Sequence, residues 1–314
     1  MIGLLLTLIG SLAVLVVSSR YTIRLLNNVA VALGISEFTV AFIILAVATS
    51  IPELSLSVIS AANHAGELVL ATALGSNVIN MTLIIGTAAV VSLGISTQGL
   101  KLKRDLVFGG ITTCMPLLFL TNGVISRLEG GILIAAFCMY MYLLFREQRT
   151  LKARTPRHIM RGVGSMLLAG VMIAVIVFTA HMTVTASVDL ARLAGLPAFL
   201  IGVFLLALGT SLPEFATTIQ SALLKKPTMA LGTILGSNVT DSALVIGIAS
   251  VIQPIHVPIN ASLLTTVIFV IIALVFLGYF AATRRKISIS EGLVLLLVFT
   301  LFIFVTFIVA PASS

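Results

Sequence analysis

The chain repeats itself once, at a fixed spacing. LAVATSIPEL at 45–54 returns as LALGTSLPEF at 206–215, and ALGSNVIN at 73–80 returns as ILGSNVTD at 234–241. Both blocks are offset by the same interval, the one from Leu45 to Leu206, with no gap between them. Thr49, Ser50, Pro52 and Glu53 therefore pair with Thr210, Ser211, Pro213 and Glu214. Ser76, Asn77 and Asn80 pair with Ser237, Asn238 and Asp241. Any fold for this chain has to accommodate two copies of one plan.

The copies sit in apolar sequence. Runs of 18 or more apolar residues mark membrane-spanning helices, and ten are expected here: 2–33, 37–63, 66–93, 103–121, 124–145, 159–194, 198–223, 227–252, 259–281 and 287–310. With 59% of residues apolar and only 9% charged, there is too little charge to cover a soluble domain. The expected fold class is an all-α polytopic membrane protein. Five spans fall in each repeat, and an odd number forces the second copy to enter the bilayer upside down. The division is then 1–145 for the first inverted repeat, 146–158 for a basic cytoplasmic loop and 159–314 for the second. At a helical rise of about 1.5 Å per residue, runs one and six exceed the length of a span, so they tilt or pass the interface. The first run has no basic leader or small-residue cleavage site and reads as a retained helix.

The 18 Lys and Arg set the orientation. Arg20 and Arg24, Lys101, Lys103 and Arg104, six in 146–161, Lys225 and Lys226, then Arg284, Arg285 and Lys286 all fall on one set of alternate connections, leaving only Arg127 and Arg192 on the other. Positive charge stays inside, so both termini are expected outside. The net charge of +8 is scattered in short clusters between spans, which argues against nucleic acid as a partner. Cys114 and Cys138 lie in apolar runs and read as free thiols. No HExxH, Walker loop or GxSxG occurs, so nothing suggests an enzyme, a catalytic residue or a cofactor.

Of the ten acids, only Glu53, Glu214 and Asp241 lie well inside apolar runs. A charge at the bilayer centre costs at least ~2.5–3.5 kcal/mol, and no Lys or Arg lies within a turn or two of any of them. Such a carboxylate either takes a proton and bonds a neighbouring helix, or holds a cation. Recurrence of the glutamate at equivalent positions favours the cation. Pro52 and Pro213 sharpen this: each removes a backbone donor and frees the carbonyl four residues back, on Ala48 and Gly209. Irregular backbone at membrane depth is tolerated where it lines a cavity. Ser76 and Asn80 are four apart and share a helix face, as do Ser237 and Asp241. Gly75 and Gly236 would admit another helix closely. Asn77 and Asn238 are expected to bond backbone at the breaks. The set is all oxygen, which suits Ca²⁺ or Na⁺ and not zinc or copper; His64, His158, His181 and His256 read as structural. Two glutamates carry a formal −2, which one Ca²⁺, two Na⁺ or two H⁺ would neutralise.

GTSLPE together with GSN-x-x-D, in two inverted copies, resembles the alpha repeats of the sodium/calcium exchangers of the cation/Ca²⁺ exchanger superfamily, in their compact prokaryotic form. The resemblance covers nearly the whole length. It implies ten helices in two inverted five-helix repeats, with helices two, three, seven and eight around the ion and long first and sixth helices sliding against them. It implies ion ligands at Glu53 and Glu214, at Thr49 and Thr210 through carbonyls, at Ser50, Ser211, Ser76 and Ser237, at Ala46 and Ala207 through carbonyls, and a central polar pair, Asn80 and Asp241. It implies Ca²⁺ and Na⁺ as substrates, a monomer in the cell membrane of a prokaryote, and antiport by alternating access. LGSN stands where the proton/calcium branch carries a GNxxE-type motif, which favours sodium coupling; Ala48, Thr72 and Thr233 depart from the usual Gly, Asn and Asn. The rival readings are a proton-coupled or potassium-dependent exchanger and, from another class, a cation channel.

Overall fold

A computed structural model describes residues 2–34, 36–64, 66–97, 102–146, 156–193, 207–257, 259, 261–283 and 286–309. The fold is all-α. The helices are α1 (Ile2–Leu33), α2 (Glu37–Thr49), α3 (Ile51–Ala62), α4 (66–91), α5 (Leu102–Phe119), α6 (Arg127–Arg146), α7 (Pro156–Leu193), α8 (Ala207–Thr210), α9 (Leu212–Leu223), α10 (Pro227–Ile252), α11 (Ala261–Thr283) and α12 (Ile289–Val309). Eight of them are long and apolar enough to cross a membrane, and α2 with α3, bent by 44°, makes a ninth among the described residues. The expected span 198–223 begins outside the described residues and continues as α8 and α9. α7 begins at Pro156, inside the stretch assigned to the basic loop; proline suits a first helical turn, where its missing N–H would be unpaired anyway.

Burial separates centre from periphery. α4 is 78% buried and α10 83% buried across their apolar windows, whereas the other six long helices face outward for most of their surface. The two central helices are small-residue rich and polar in places, because they meet only protein; the outer helices present leucine, isoleucine and phenylalanine to lipid.

The long helices α1 and α7, 32 and 38 residues, reach roughly 48 and 57 Å at about 1.5 Å per residue. They pack along each other. The Thr183 hydroxyl donates to Ser11 Oγ at 2.9 Å, Asn28 Nδ2 donates to Ser165 Oγ at 3.4 Å, and Gly162 fits against Ala32. Partner numbers fall on one helix as they rise on the other, so the first helix of one repeat runs antiparallel to the first helix of the other.

The same inversion recurs at the helix ends. Gly86 of α4 lies against Gly292 of α12, and Gly247 of α10 lies against Gly130 of α6; Gly86 and Gly247 are separated by the repeat interval. In both pairs an added Cβ would meet the opposing glycine carbonyl within 3.0 Å, so the backbones touch. Just beyond, Ile95–Ser96 (β1) pairs antiparallel with Lys286–Ile287 (β4), and Val124–Ile125 (β2) with Ile255–His256 (β3). Each bridge ties one repeat to the other. α6 and α12 begin with matching capping boxes: the N–H and hydroxyl of Ser126 donate to Glu129 Oε2, and those of Ser288 to Glu291 Oε2, all at 2.7 Å. These boxes satisfy helix-start donors and the acids together, and they account for two acids at the span margins.

Candidate ion-binding site

Two breaks create the site. Ser50, between α2 and α3, has φ −81° and ψ 8°; Ser211, between α8 and α9, has φ −87° and ψ 5°. Pro52 and Pro213 follow as second residues of α3 and α9. Neither can donate to the carbonyl four residues back, so the ladder is interrupted while the chain continues in the same general direction. Each new helix start places a glutamate, Glu53 or Glu214, in its first turn, where the unpaired N–H groups favour negative charge.

α4 and α10 cross at this level. Asn77 Nδ2 donates to Ser242 Oγ at 2.7 Å, and Asn80 Nδ2 donates to Asn238 Oδ1 at 3.1 Å. Asn77 and Asn238 therefore stitch one repeat to the other instead of bonding backbone at the breaks, as the sequence suggested. Each central helix widens into a π segment here, Asn80–Ile84 in α4 and Thr240–Val245 in α10. Such bulges re-aim side chains and occur at functional sites; no residue pattern in the sequence announced them. α10 approaches α2 closely, with Gly236 against Phe42 and Ala46 and Gly232 against Phe38 and Ala41.

The expected ligands converge across the repeat boundary. Ser50 Oγ of the first repeat and Ser237 Oγ of the second both donate to Glu214 Oε1 at 3.3 Å. Ser76 and Ser211 hydroxyls meet at 3.2 Å. The Thr49 side chain lies against Glu214 and the Thr210 side chain against Glu53, each reaching to the other repeat. Asp241 lies beside Ser50 and near enough to both glutamates to repel them. Ala46 stands differently: its carbonyl accepts the Ser50 N–H at 3.0 Å and the Thr49 hydroxyl at 3.2 Å, so it is engaged within its own helix. Ala207 opens the short α8 that ends at Thr210.

Glu53, Glu214 and Asp241 are each 1% exposed, and none has a cationic partner among the described residues. Glu53 Oε2, Glu214 Oε2, Asp241 Oδ1, Asn77 Oδ1 and Asn80 Oδ1 are buried without any hydrogen bond. All five are acceptors. A buried acceptor left unpaired is unfavourable by about 1–3 kcal/mol, more for a charge; protons on the carboxyls or a bound cation would relieve it. No three His, Cys, Asp or Glu among the described residues converge tightly enough to hold a metal on their own. The hydroxyls and amides are therefore needed, and an oxygen-rich, loosely built cage suits Ca²⁺ or Na⁺.

The family model for "Sodium/calcium exchanger protein" matches residues 3–146 and 164–308. The sodium/calcium exchanger MaX1 of Methanosarcina acetivorans is 29% identical over 98% of this chain and 99% of its own length. The inner membrane protein YrbG of Escherichia coli is 29% identical over 70% of this chain and 71% of its own. The sodium–calcium exchanger NCX_Mj, solved after soaking in 10 mM Na⁺ and zero Ca²⁺, has the same fold, with a TM-score of 0.83 at 23% identity over 96% of this chain and 99% of that one.

Proposed function

The chain belongs to the sodium/calcium exchanger protein family, and from that premise we propose that it is an antiporter exchanging Na⁺ for Ca²⁺ by alternating access. Transport, not catalysis, is the family's activity. The observation that carries the reading is the set of buried, unpaired carboxylate oxygens supplied by both repeats, Glu53 Oε2 and Glu214 Oε2 with Asp241 Oδ1. One Ca²⁺ or two Na⁺ would neutralise the two glutamates, so each ion can displace the other. The neutral loaded site can change its exposure, while the empty charged one is held back by the cost of charge in the membrane interior.

The ligand set we propose is Glu53, Glu214, Ser50, Ser211, Ser76, Ser237, Asn80 and Asp241, with backbone oxygens of Ala46, Thr49, Ala207 and Thr210. The two repeats, 1–145 and 159–314, would move against each other around it. The placement of 16 of 18 basic residues on one set of connections supports an orientation with both termini outside the cell; the cell membrane of a prokaryote and a monomeric state are taken from the family resemblance alone.

Sodium-loaded proteoliposomes diluted into sodium-free buffer should take up radioactive calcium, and uptake should vanish when the sodium gradient is collapsed. Uptake that follows a pH gradient and ignores sodium would replace sodium by protons as the coupling ion. Calcium flux needing no counter-ion would make the protein a channel.

A further inference from the structure

Two buried hydroxyls outside this ligand set stand in the same unusual state. Ser57 and Thr218 are 1% and 0% exposed, and neither Oγ nor Oγ1 has a hydrogen-bond partner. They are equivalent positions of the two repeats, and each lies one helical turn after its repeat's glutamate. That places them about 6 Å further along the same helix face. A buried helical Ser or Thr ordinarily donates to the carbonyl three or four residues back. That is what neighbouring hydroxyls do here: Thr217 to Pro213, Ser221 to Thr217, Thr233 to Met229 and Thr240 to Gly236, at 2.8–2.9 Å. The Ser57 and Thr218 hydroxyls do not bond the equivalent carbonyls of Glu53 and Glu214, the second of which accepts the Thr217 hydroxyl at 3.2 Å instead.

Their surroundings correspond in part, although α9 also packs along the long helix α1 and α3 has no matching contact with α7 among the described residues. α3, carrying Ser57, packs against the first part of α4 and the π segment of α10. α9, carrying Thr218, packs against the first part of α10 and the π segment of α4. Each hydroxyl therefore lies beyond a glutamate, on the side away from the break. α3 runs from Glu53 toward His64, at the outer end in the orientation proposed above. α9 runs from Glu214 toward Lys225, at the inner end.

We propose that Ser57 and Thr218 are way-stations for the ion: each supplies one oxygen to a partly dehydrated cation as it passes between the glutamates and one face, Ser57 on the outer side and Thr218 on the inner. A hydroxyl is suited to this. It has two lone pairs for a cation or its last water and carries no charge that would trap the ion. The proposal rests on the transport reading, and it predicts two routes with opposite polarity built from one repeated position.

The test uses the full chain in right-side-out and inside-out vesicles. Ser57→Ala should raise the half-saturating Ca²⁺ concentration at the outer face roughly 10-fold, in the range seen when a supporting polar group near a bound ion is removed, and leave the inner face unchanged. Thr218→Val should do the reverse. Ser57→Thr and Thr218→Ser keep the hydroxyl and should restore wild-type values. Equal shifts at both faces, or none at either, would overturn the proposal. A second readout covers variants that fail to fold. In a Cys114→Ser, Cys138→Ser background, Ser57→Cys should react with a small impermeant thiol reagent from outside only and Thr218→Cys from inside only, each slowed by Ca²⁺. Protection of both thiols from both faces would also overturn it. Wild-type vesicles under sodium and pH gradients run alongside; a switch of driving ion there changes the coupling reading and leaves the face-specific shifts readable.

Discussion

At position 80 the first repeat carries an amide; at the equivalent position 241 the second carries an acid. Around that difference the two repeats match closely. Both break at a serine before a proline, both place a glutamate in the next first turn, both widen into a π segment, and both touch the other through a glycine pair. The backbone is duplicated, while the charge is not. The matched part builds a cage whose two glutamates come from opposite directions. The unmatched part decides how much charge the cage holds: −2 from the glutamates alone, −3 if Asp241 adds its own. One Ca²⁺ balances only the first. On the function proposed above, the charge that binds Ca²⁺ would belong to the repeated residues, and Asp241 would be left to supply oxygen.

The largest effects should come from the matched pair. Glu53→Gln and Glu214→Gln each remove one of two charges while keeping an oxygen, and each should cut sodium-driven calcium uptake by at least roughly 100-fold, since ligand charge sets Ca²⁺ affinity over several decades. Uptake retained in either variant would break the equivalence of the repeats. Asp241→Asn, which makes the second repeat resemble the first, should stay within a few-fold of wild type in the same assay. Asn80→Asp, which makes the first resemble the second, should lose roughly 100-fold, because an added charge in the membrane interior costs ~2.5–3.5 kcal/mol on insertion scales. Complete loss in Asp241→Asn would show that the asymmetric acid carries charge.

The candidate site's acids stand out in the sequence because charge in an apolar run is costly and because the duplication repeats the glutamates at a fixed offset. Glu53, Glu214 and Asp241 needed nothing else, and the prolines marked the breaks. Other members depended on tertiary placement. An asparagine on a helix can bond its own backbone or a neighbour, and nothing local distinguishes the two, so the cross-repeat roles of Asn77 and Asn238 emerged only from the crossing of α4 and α10. The π segments have no residue signature. Ser57 and Thr218 read as ordinary small polar residues until their lack of a partner was visible. The two-residue strands are too short for any periodicity. The capping boxes were different: SRLE at 126–129 and SISE at 288–291 carry the S-x-x-E pattern openly, just before apolar runs.

The glycine contacts test whether the two repeats also bear load equally. A Cβ on Gly86 would meet the Gly292 carbonyl at 2.9 Å, and one on Gly247 would meet the Ile134 side chain at 2.8 Å and the Gly130 carbonyl at 3.0 Å. Gly86→Ala and Gly247→Ala should each destabilise by about 1–3 kcal/mol, as overpacking does, with similar falls in melting temperature. Gly278, with open space around it, should tolerate alanine. Size-exclusion recovery after heating in detergent reports all three. Unequal falls for Gly86→Ala and Gly247→Ala would mean that one repeat is the stiffer partner.

The smallest effect belongs to a contact between the repeats whose lysine has no counterpart at the equivalent position. Lys226, at the start of α10, donates to Glu37 Oε1 at 2.5 Å and to Asn27 Oδ1 at 2.8 Å, joining α10 to α2 and to the long helix α1. The equivalent position in the first repeat is Ala65, which has no charge to offer. The Lys226 and Glu37 side chains are 34% and 27% exposed, and pairs this open to solvent contribute ~0–1 kcal/mol. Lys226→Met should therefore lower stability by no more than about 1 kcal/mol. Raising the salt to about 1 M shrinks the screening length to about 3 Å and should erase most of the difference from wild type. Asn27→Ala, which removes only the neutral acceptor, should do less and respond little to salt. A salt-independent loss in Lys226→Met would instead assign its role to packing of the four-carbon stem against α1.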